Sequence, residues 1–284
     1  IKPLHDLPEH LCFDEFKSVK SSDSNMSFII CDSTTHKLVD VVRDRKSYSL
    51  KKYFHRFEPK TRLKVKTISI DMYLPYIQLI KEMFPNAKII IDPFHIVQAL
   101  NRELNRTRVR VMNKHRYKDP KLYRKLKHYW KLILKNPNEL QNYKYNRYKL
   151  FESFMTTQGI VDYILENNPS LKNDYEVVHS LRECIQDRDY IEFKETIEAA
   201  TQLDLSPGLK RVLKTLMTYL PYIQNTCEYP TRTNGPIEGI NNKIKVLKRN
   251  AYGFKNYYHF RNRIILITKM FGPKQKGIKQ QLVA

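Results

Sequence analysis

The stretch VKTISIDMYLPYIQLIKEMFPNAKIIIDPFH, residues 65–95, decides the fold class. Its first part is a β-branched run that predicts a strand ending on Asp71. Residues 74–84 carry apolar side chains at helical spacing, and a Pro-Asn pair ends that helix. Residues 87–95 contain a second, almost wholly apolar strand, which is typical of a strand buried on both faces. A helix between two such strands predicts parallel pairing through a right-handed crossover.

Three further strands precede this unit. The segments LCFDEFKSV, MSFIICDS and KLVDVVRD, within residues 11–45, are short β-branched or aromatic runs separated by polar turns. Their short connections predict an antiparallel meander. Residues 49–57 have helical spacing, with Leu50, Tyr53 and Phe54 on one face. The resulting order, β-β-β-α-β-α-β, predicts an α/β protein with an RNase H-like mixed sheet, in which parallel β-α-β units follow three antiparallel strands.

The chain that follows the last predicted strand has a helical pattern. Residues 136–238 hold eleven basic and fifteen acidic residues, unlike their basic neighbours. We interpret this zone as part of a large α-helical insertion before a final basic helix that begins near Pro236. The predicted organisation is a first core segment over residues 1–99, a helical insertion over 100–230 and a second core segment over 231–284.

The chain of 284 residues has a net charge of +22, and two segments carry all of it. Residues 100–135 hold thirteen Lys or Arg against two acids, and residues 239–284 hold eleven and no acid. Such concentration indicates an electrostatic footprint for a polyanion, above all nucleic acid. The alternative is a basic surface that only confers solubility. An acidic membrane is disfavoured because neither segment has an amphipathic face anchored by Trp or Phe.

Several classes of protein are excluded by what the sequence lacks. No apolar run is long enough for a membrane span, and no signal-peptide pattern opens the chain. The four cysteines show neither the C-x-x-C spacing of a zinc site nor the density of a disulfide scaffold. We therefore expect free thiols in a reducing cytosol.

Three carboxylates stand at positions where an acid needs a reason. Asp14 lies inside the first predicted strand, where an unpaired carboxylate is costly. Asp71 closes the fourth strand, at the carboxyl edge where parallel sheets form sites. Glu238 lies in the first turn of the last basic helix, and no acid follows it. Together they predict a site for two divalent metal ions, which would make clustered like charges tolerable and activate an oxygen nucleophile at a phosphate.

Each of these acids also has a structural interpretation. Glu238 would favour the start of its helix through the helix macrodipole. Asp14 would face solvent if the first strand were at the edge of the sheet. Asp71 would cap the amino terminus of the helix that follows it.

The segments that carry these acids resemble the DDE transposases of bacterial insertion sequences, most closely the ISL-three family. The resemblance rests on FDEFKS (13–18), TISIDMYLPYI (67–77), PNAKIIIDPFHIVQALN (85–101), TNGPIEGINNKIKVLKRNAYGF (233–254) and YYHFRNRIIL (257–266). It covers almost the whole chain. It implies an RNase H-like fold with a helical insertion before the glutamate, and a DDE triad at Asp14, Asp71 and Glu238.

The resemblance further implies an enzyme, the catalytic region of a transposase that moves an insertion sequence. The triad would hold two Mg²⁺ or Mn²⁺ ions, and in-line attack by water and then by a DNA 3′-hydroxyl would cleave and transfer the strand. The implied partners are the transposon ends and the target DNA, bound by a homodimer. The implied location is the bacterial cytoplasm, at the nucleoid, with no membrane and no small-molecule cofactor.

Three further residues are expected to support the metal site or contact DNA. The family's D-x-x-H motif falls on Asp92 and His95, and Asn234 stands just before the glutamate helix. The alternative for the first two is a structural role, with Asp92 capping a helix and His95 packing against the sheet.

The helix after Glu238 predicts a DNA-binding face. Asn241, Asn242, Lys245 and Arg249 follow the glutamate by 3, 4, 7 and 11 positions and share its face. The residues predicted to contact DNA are Asn241, Asn242, Lys245, Lys248, Arg249, Arg102, Arg106, Arg110, Arg261 and Arg263.

Three aromatic side chains have less specific expectations. Tyr252 and His259 could stack on an unpaired base, although packing is the commoner role of such rings. Trp130 is expected in the core of the insertion.

Two rival functions share these features. A nuclease or junction resolvase would use the same acids to cleave without joining, and a DNA-binding protein could have kept the fold without catalysis. Relatives in this family resemble one another in an amino-terminal zinc ribbon and helix-turn-helix. This chain begins at Ile1, just before the first catalytic strand, and has no such Cys cluster. We therefore expect a catalytic region without its main sequence-reading module.

Overall fold

Five strands form one mixed sheet in the computed structural model, which describes residues 6–19, 21–22 and 24–270. The strands are β1 (His10–Lys17), β2 (Met26–Asp32), β3 (Leu38–Val42), β4 (Thr67–Ile70) and β5 (Lys88–Ile91). Their spatial order is β3-β2-β1-β4-β5. β1, β2 and β3 pair antiparallel, whereas β1, β4 and β5 pair in parallel. This is the mixed α/β sheet that the sequence predicts, and it is compatible with an RNase H-like fold.

Helices account for most of the remaining described chain. They are α1 (Ser47–Phe54), α2 (Pro59–Leu63), α3 (Leu74–Met83), α4 (Pro93–Lys114), α5 (Pro120–His128), α6 (Trp130–Leu134), α7 (Thr157–Glu166), α8 (Pro169–Asp187), α9 (Tyr190–Ala200), α10 (Pro207–Glu228), α11 (Gly235–Asn250) and α12 (Tyr257–Met270). A 3₁₀ turn at Pro137–Glu139 and a short hairpin of β6 (Asn146–Arg147) and β7 (Phe154–Met155) lie between α6 and α7.

The chain divides into two compact units. The described residues up to Asp92 and from Tyr229 onward form the first, and Pro93–Glu228 forms the second. The first limit lies earlier than residue 99 because β5 ends at Ile91 and Pro93 already starts α4. Proline suits the first turn of a helix, since its fixed φ matches and its missing N–H leaves no donor unsatisfied there. A division at residue 99 would have cut a continuous helix.

One face of the sheet packs through aromatic rings. Phe13 of β1 lies 5.0 Å from Phe28 of β2 and 5.6 Å from Phe54 of α1, measured between ring centroids. Phe84, which follows α3, lies 4.9 Å from Phe54. All four rings are fully buried. Edge and offset contacts of this kind add to area burial, so we expect truncation of Phe13 to alanine to cost about 3–5 kcal/mol of unfolding free energy.

The opposite face of the same strands packs against α11 and α12. Alternation along each strand turns Cys12 and Phe16 of β1 and Ile29 of β2 to this face. The helices bury a stripe of apolar residues against them, namely Ile237, Ile240, Ile244, Leu247, Tyr257, Phe260 and Ile264. Because Asp14 lies between Cys12 and Phe16 at period two, it shares the face that α11 covers.

The second unit is held in part by a buried polar cluster. Asp174 of α8 accepts hydrogen bonds from Thr107 Oγ1 of α4 at 2.7 Å and from Ser206 N at 2.9 Å. The three side chains are buried, and their partners satisfy the carboxylate. The cluster therefore joins α4, α8 and the start of α10 within this unit.

One expectation about the insertion needs correction, and two short elements were not predicted. Trp130 is 39% exposed, so its expected place in the core of the insertion is wrong. The short helix α2 and the β6–β7 hairpin have too few residues to show a period in the sequence.

Among the described helices, none combines the length and the apolar character that a membrane crossing requires.

Candidate active site

Asp14 stands in the interior of the sheet rather than at an edge. Its strand β1 lies between β2 and β4. Asp14 pairs with Ile29 of β2, whereas the parallel pairing with β4 covers only His10 to Cys12. The interpretation of Asp14 as a solvent-facing edge residue is therefore wrong. The carboxylate is half-buried just beyond the end of β4.

Asp71 and Asp92 lie side by side at the carboxyl ends of two parallel strands. Ile70 is in register with Ile91, and Asp92 N donates to Ile70 O at 3.0 Å. The two side chains place carboxylate oxygens within 4.8 Å of each other. Asp71 does not cap α3, whose amino-terminal cap is Tyr73. The sequence rule that sites form at the carboxyl edge of parallel strands thus applies to both residues.

A loop before α11 is fastened across the ends of β1 and β4. The backbone carbonyls of Thr233 and Arg232 accept hydrogen bonds from Cys12 Sγ at 3.3 Å and Ser69 Oγ at 3.1 Å. Burial raises the pKa of Cys12 to about 12, so its thiol stays protonated and donates at neutral pH. These contacts bring the start of α11 to the same edge of the sheet as the aspartates.

Two asparagines join α11 to the aspartates. Asn234 Nδ2 donates to Asp71 Oδ1 and to Phe13 O, each at 3.2 Å. Asn241 Nδ2 donates to Asp14 Oδ2 at 2.8 Å. The sequence indicated both positions, but as a supporting residue and as a DNA contact; it did not reveal that the two amides bind the two aspartates.

Glu238 lies between these asparagines on the helix. It follows Asn234 by four residues and precedes Asn241 by three, so the three share one face. Glu238 is in the first turn of α11 and its side chain is exposed. Within the described residues, neither Asp14 nor Glu238 belongs to a set of three His, Cys, Asp or Glu ligands within 4.8 Å of one another. The structure thus places the predicted triad on neighbouring elements, with asparagines making the direct contacts.

The side chains at this edge fit a hard divalent cation. Asn234 Oδ1 and Asn241 Oδ1 are buried and have no hydrogen-bond partner among the described residues. A buried oxygen without a donor is costly, and a cation would satisfy it. Carboxylate and amide oxygens are the donors that Mg²⁺ and Mn²⁺ accept. His95, in the first turn of α4, follows Asp92 by three residues in the sequence.

The predicted DNA-contact residues of α11 and α12 fall into two groups. Asn242, Lys245, Arg249 and Arg263 are exposed. Two others have internal partners. Lys248 Nζ donates to Lys17 O and to Ser18 O, each at 3.0 Å, and Arg261 forms an ion pair with Asp40.

The remaining predicted contacts lie on α4. Arg102, Arg106 and Arg110 recur every four residues along it and are exposed. Arg106 also pairs with Glu103 one turn earlier. Their spacing forms one cationic ridge on the surface of the second unit.

These features define an α/β protein with acidic side chains gathered at the carboxyl edge of a mixed sheet, in a strongly basic chain. The chain belongs to the transposase family of the ISL-three DDE type, whose family model matches residues 11–264. The match confirms the resemblance carried by the sequence motifs.

Two curated relatives have different names. The chain is 27% identical over 254 residues to the transposase for insertion sequence element IS1001 of Bordetella parapertussis, covering 89% of this chain and 59% of that protein. It is 35% identical over 130 residues to a Lactococcus lactis subsp. lactis protein named ATP-dependent protease, covering 46% of this chain and 40% of that protein. No solved structure matches the chain.

The longer of the two matches is the one that agrees with the family model. The chain spans about 40–59% of the length of the two relatives. The alignment with the transposase extends over most of the chain, as the family model does.

Proposed function

We propose that this chain is the catalytic region of a transposase with an RNase H-like core, which cleaves DNA and transfers the cut strand. One observation carries the proposal. Asn234 and Asn241, one helical turn on either side of Glu238, hydrogen-bond to Asp71 and Asp14. Glu238 therefore shares the helix face that is turned to both aspartates.

Asp14, Asp71 and Glu238 are the proposed holders of two Mg²⁺ or Mn²⁺ ions. Such a pair, when bound, supplies an activated oxygen nucleophile and stabilises the leaving oxygen at a phosphodiester. Asp92 offers a further carboxylate beside Asp71. His95, in the first turn of α4, keeps its proposed role as a supporting residue or DNA contact.

The asparagines would keep the carboxylates in place. Each amide N–H binds one aspartate oxygen, which limits the rotation of that carboxylate. A neutral amide between two acidic residues also adds no like charge. Asn234 and Asn241 are thus proposed to orient the aspartates through Nδ2, while their buried Oδ1 atoms would add ligands to those of the acids.

The exposed basic side chains would bind the DNA next to this site. Asn242, Lys245 and Arg249 lie along α11 beyond Glu238, and phosphate contacts of this type fix the position of a duplex without reading its sequence. We extend the proposal to transposon ends and target DNA as substrates, and to a homodimer that holds two ends.

The test is nicking and joining of a supercoiled plasmid in Mg²⁺ or Mn²⁺ by the wild-type chain and by Glu238→Gln. The matched control is Glu195→Gln, which removes the same charge from an exposed position on α9. We expect Glu238→Gln to lose metal-dependent cleavage by at least 100-fold, roughly the effect of removing one stabiliser of transition-state charge. Glu195→Gln should retain cleavage.

Three other outcomes would change the conclusion. Equal activity of both variants would exclude Glu238 from the site. Cleavage that depends on Glu238 but yields no joined product would indicate a nuclease. Tight DNA binding by a wild-type chain that never cleaves would indicate a DNA-binding protein on this fold.

A further inference from the structure

The segment between α11 and α12 holds an aromatic residue in an unfavourable backbone conformation. Gly253 N donates to Lys248 O at 2.9 Å, which closes the end of α11 with a six-residue hydrogen-bonded turn. In this turn Tyr252 has φ +50° and Gly253 has φ +97°. The first of these left-handed positions is the one that glycine usually occupies at a helix end, because a Cβ there is strained. Here a tyrosine occupies it.

The ring of Tyr252 gives the fold no compensating contact. Its relative exposure is 101%, so the whole side chain lies in solvent. The neighbouring aromatics behave differently. Tyr257 is buried, and Phe254 packs on Phe260 with ring centroids 4.9 Å apart. Both the backbone strain and the exposure of the ring therefore point to a partner outside the described chain.

The surroundings of the ring identify the kind of partner. Arg249 and Lys255 lie three residues before and after Tyr252, and both are exposed. No acidic residue occurs from Gly239 to the end of the sequence. An apolar protein partner would need a wider apolar patch, whereas the exposed neighbours Asn250 and Asn256 are polar. A single ring among cations matches a nucleobase, which offers a flat face beside its phosphates.

We infer that Tyr252 stacks on an unpaired nucleobase of the bound DNA; this inference rests on the proposed function. Tyr252 follows Glu238 by 14 residues along α11, a rise of roughly 20 Å, or the length of about six base pairs. The stacked base thus lies within about six nucleotides of the bond at Glu238. Tyr252 binds and positions the DNA and takes no part in the chemical step.

The test combines DNA binding and thermal unfolding of the full chain. The probe is a duplex with a single-stranded flank that carries 2-aminopurine, whose fluorescence falls when the base is stacked. The variants are Tyr252→Gly and Tyr252→Trp. The control is Tyr143→Gly, which removes an exposed tyrosine beside Lys144 at a position without positive φ.

Tyr252→Gly should bind the flanked DNA about 10-fold or more weakly and lose the fluorescence change. The same variant should unfold at a temperature about 2–4 °C higher, because glycine relieves the strain. Tyr252→Trp should retain binding and quenching. Tyr143→Gly should retain binding and quenching, and it should not unfold at a higher temperature.

Weaker DNA binding together with a higher unfolding temperature in Tyr252→Gly would distinguish a residue that stacks on DNA from one that stabilises the fold. A lower unfolding temperature for Tyr252→Gly would show that the ring packs on its own chain and would overturn the inference. Unchanged binding and quenching by Tyr252→Gly, with tight binding by the wild type, would also overturn it and leave the proposed function intact. Failure of the wild type to bind DNA would overturn both.

Discussion

Asn241 donates its amide to the carboxylate of Asp14 from the second turn of α11. Replacement by leucine keeps the size of the side chain and removes the donor. We expect Asn241→Leu to lower the cleavage rate about 10–100-fold, the usual effect of losing a group that orients a metal ligand. Single-turnover cleavage at several Mn²⁺ concentrations measures this rate. The variant should need a higher Mn²⁺ concentration than the wild type to reach half of its maximal rate.

The neighbouring asparagine provides the control for this prediction. Asn242 is exposed and has the same chemistry. Asn242→Leu should leave the Mn²⁺ dependence of cleavage unchanged. A Mn²⁺ dependence that is the same in Asn241→Leu and in the wild type would contradict the orienting role.

Part of the site at this scale was predictable from local sequence. Asp71 and Asp92 each follow a short buried strand, and parallel strands end at a common edge, so their proximity follows from the element order. The bond from Asn241 to Asp14 joins residues 227 positions apart. No local pattern contains such a contact, because it depends on how α11 is placed on the sheet.

Helix α12 is anchored to strand β3 by a charged pair. Arg261 contacts both Asp40 and the carbonyl of Val41, and Asp40 also accepts a hydrogen bond from Tyr53 at 2.9 Å. Arg261→Leu would leave the buried Asp40 carboxylate without its cation. We expect a loss of about 3 kcal/mol of unfolding free energy, measured by urea denaturation.

Arg263 on the same helix serves as the comparison, because it is exposed. Arg263→Leu should change unfolding free energy by less than about 0.5 kcal/mol and weaken DNA binding. If Arg261→Leu were as stable as the wild type, the ion pair would have no anchoring role, and its guanidinium would be available to DNA.

Helix α8 carries a titratable group whose burial links stability to pH. His179 Nε2 bonds to Ile133 O at 3.0 Å, and its Nδ1 bonds to Arg182 at 3.1 Å. Burial, and secondarily the charge of Arg182, lowers the pKa of His179 to about 4 although the carbonyl acts in the opposite direction. The unfolded chain therefore protonates His179 at a higher pH than the folded chain does. The contribution of neutral His179 to the free energy of unfolding is fully present above pH 6.5 and is lost as pH falls toward 4.

Between pH 6.5 and pH 4 we expect the free energy of unfolding to fall by about 1.4 kcal/mol per pH unit, because one additional proton binds to the unfolded chain. Urea unfolding at pH 7 and pH 5 measures it in the wild type and in His179→Gln, which should lose less between the two values. His128→Gln, at an exposed histidine, controls for general protonation. Equal pH dependence in all three proteins would contradict a buried neutral His179.

The elements themselves were predictable to different degrees. The strands and α3 have apolar residues at a clear period, and they form where the pattern indicates. The segment assigned to the last strand, residues 87–95, extended too far, since β5 ends at Ile91 and α4 begins at Pro93. Asp92 and Pro93 mark that boundary in the sequence. Trp130 was wrongly placed in the core because α6 has only five residues. A helix this short shows no apolar period from which its buried face could be predicted.

At the scale of the whole molecule, the positive charge is concentrated rather than spread. The ridge of Arg102, Arg106 and Arg110 should contribute phosphate contacts, each adding about 0.9 to the slope of log affinity against log salt. Replacement of all three by glutamine should therefore lower that slope by up to about 2.7. Fluorescence anisotropy on duplex DNA at several salt concentrations gives the value.

A second triple variant removes the same charge elsewhere in the second unit. Lys172, Lys194 and Lys210 are exposed on α8, α9 and α10. Their replacement by glutamine should leave the slope within about 1 of the wild type. Equal slopes for the two triple variants would mean that only total charge matters and that the ridge is not a binding surface.

The division of the first unit into two chain segments has a consequence for biosynthesis. The 136 residues of Pro93–Glu228 separate the sheet from the helices that cover its second face. At about 5–20 residues per second, a ribosome needs roughly 7–27 s to translate them. During that interval Cys12, Phe16 and Ile29 have no covering helix, and Glu238 has not been made. The nascent chain therefore acquires Glu238 and the helices that cover this face together, only after the whole second unit has been translated.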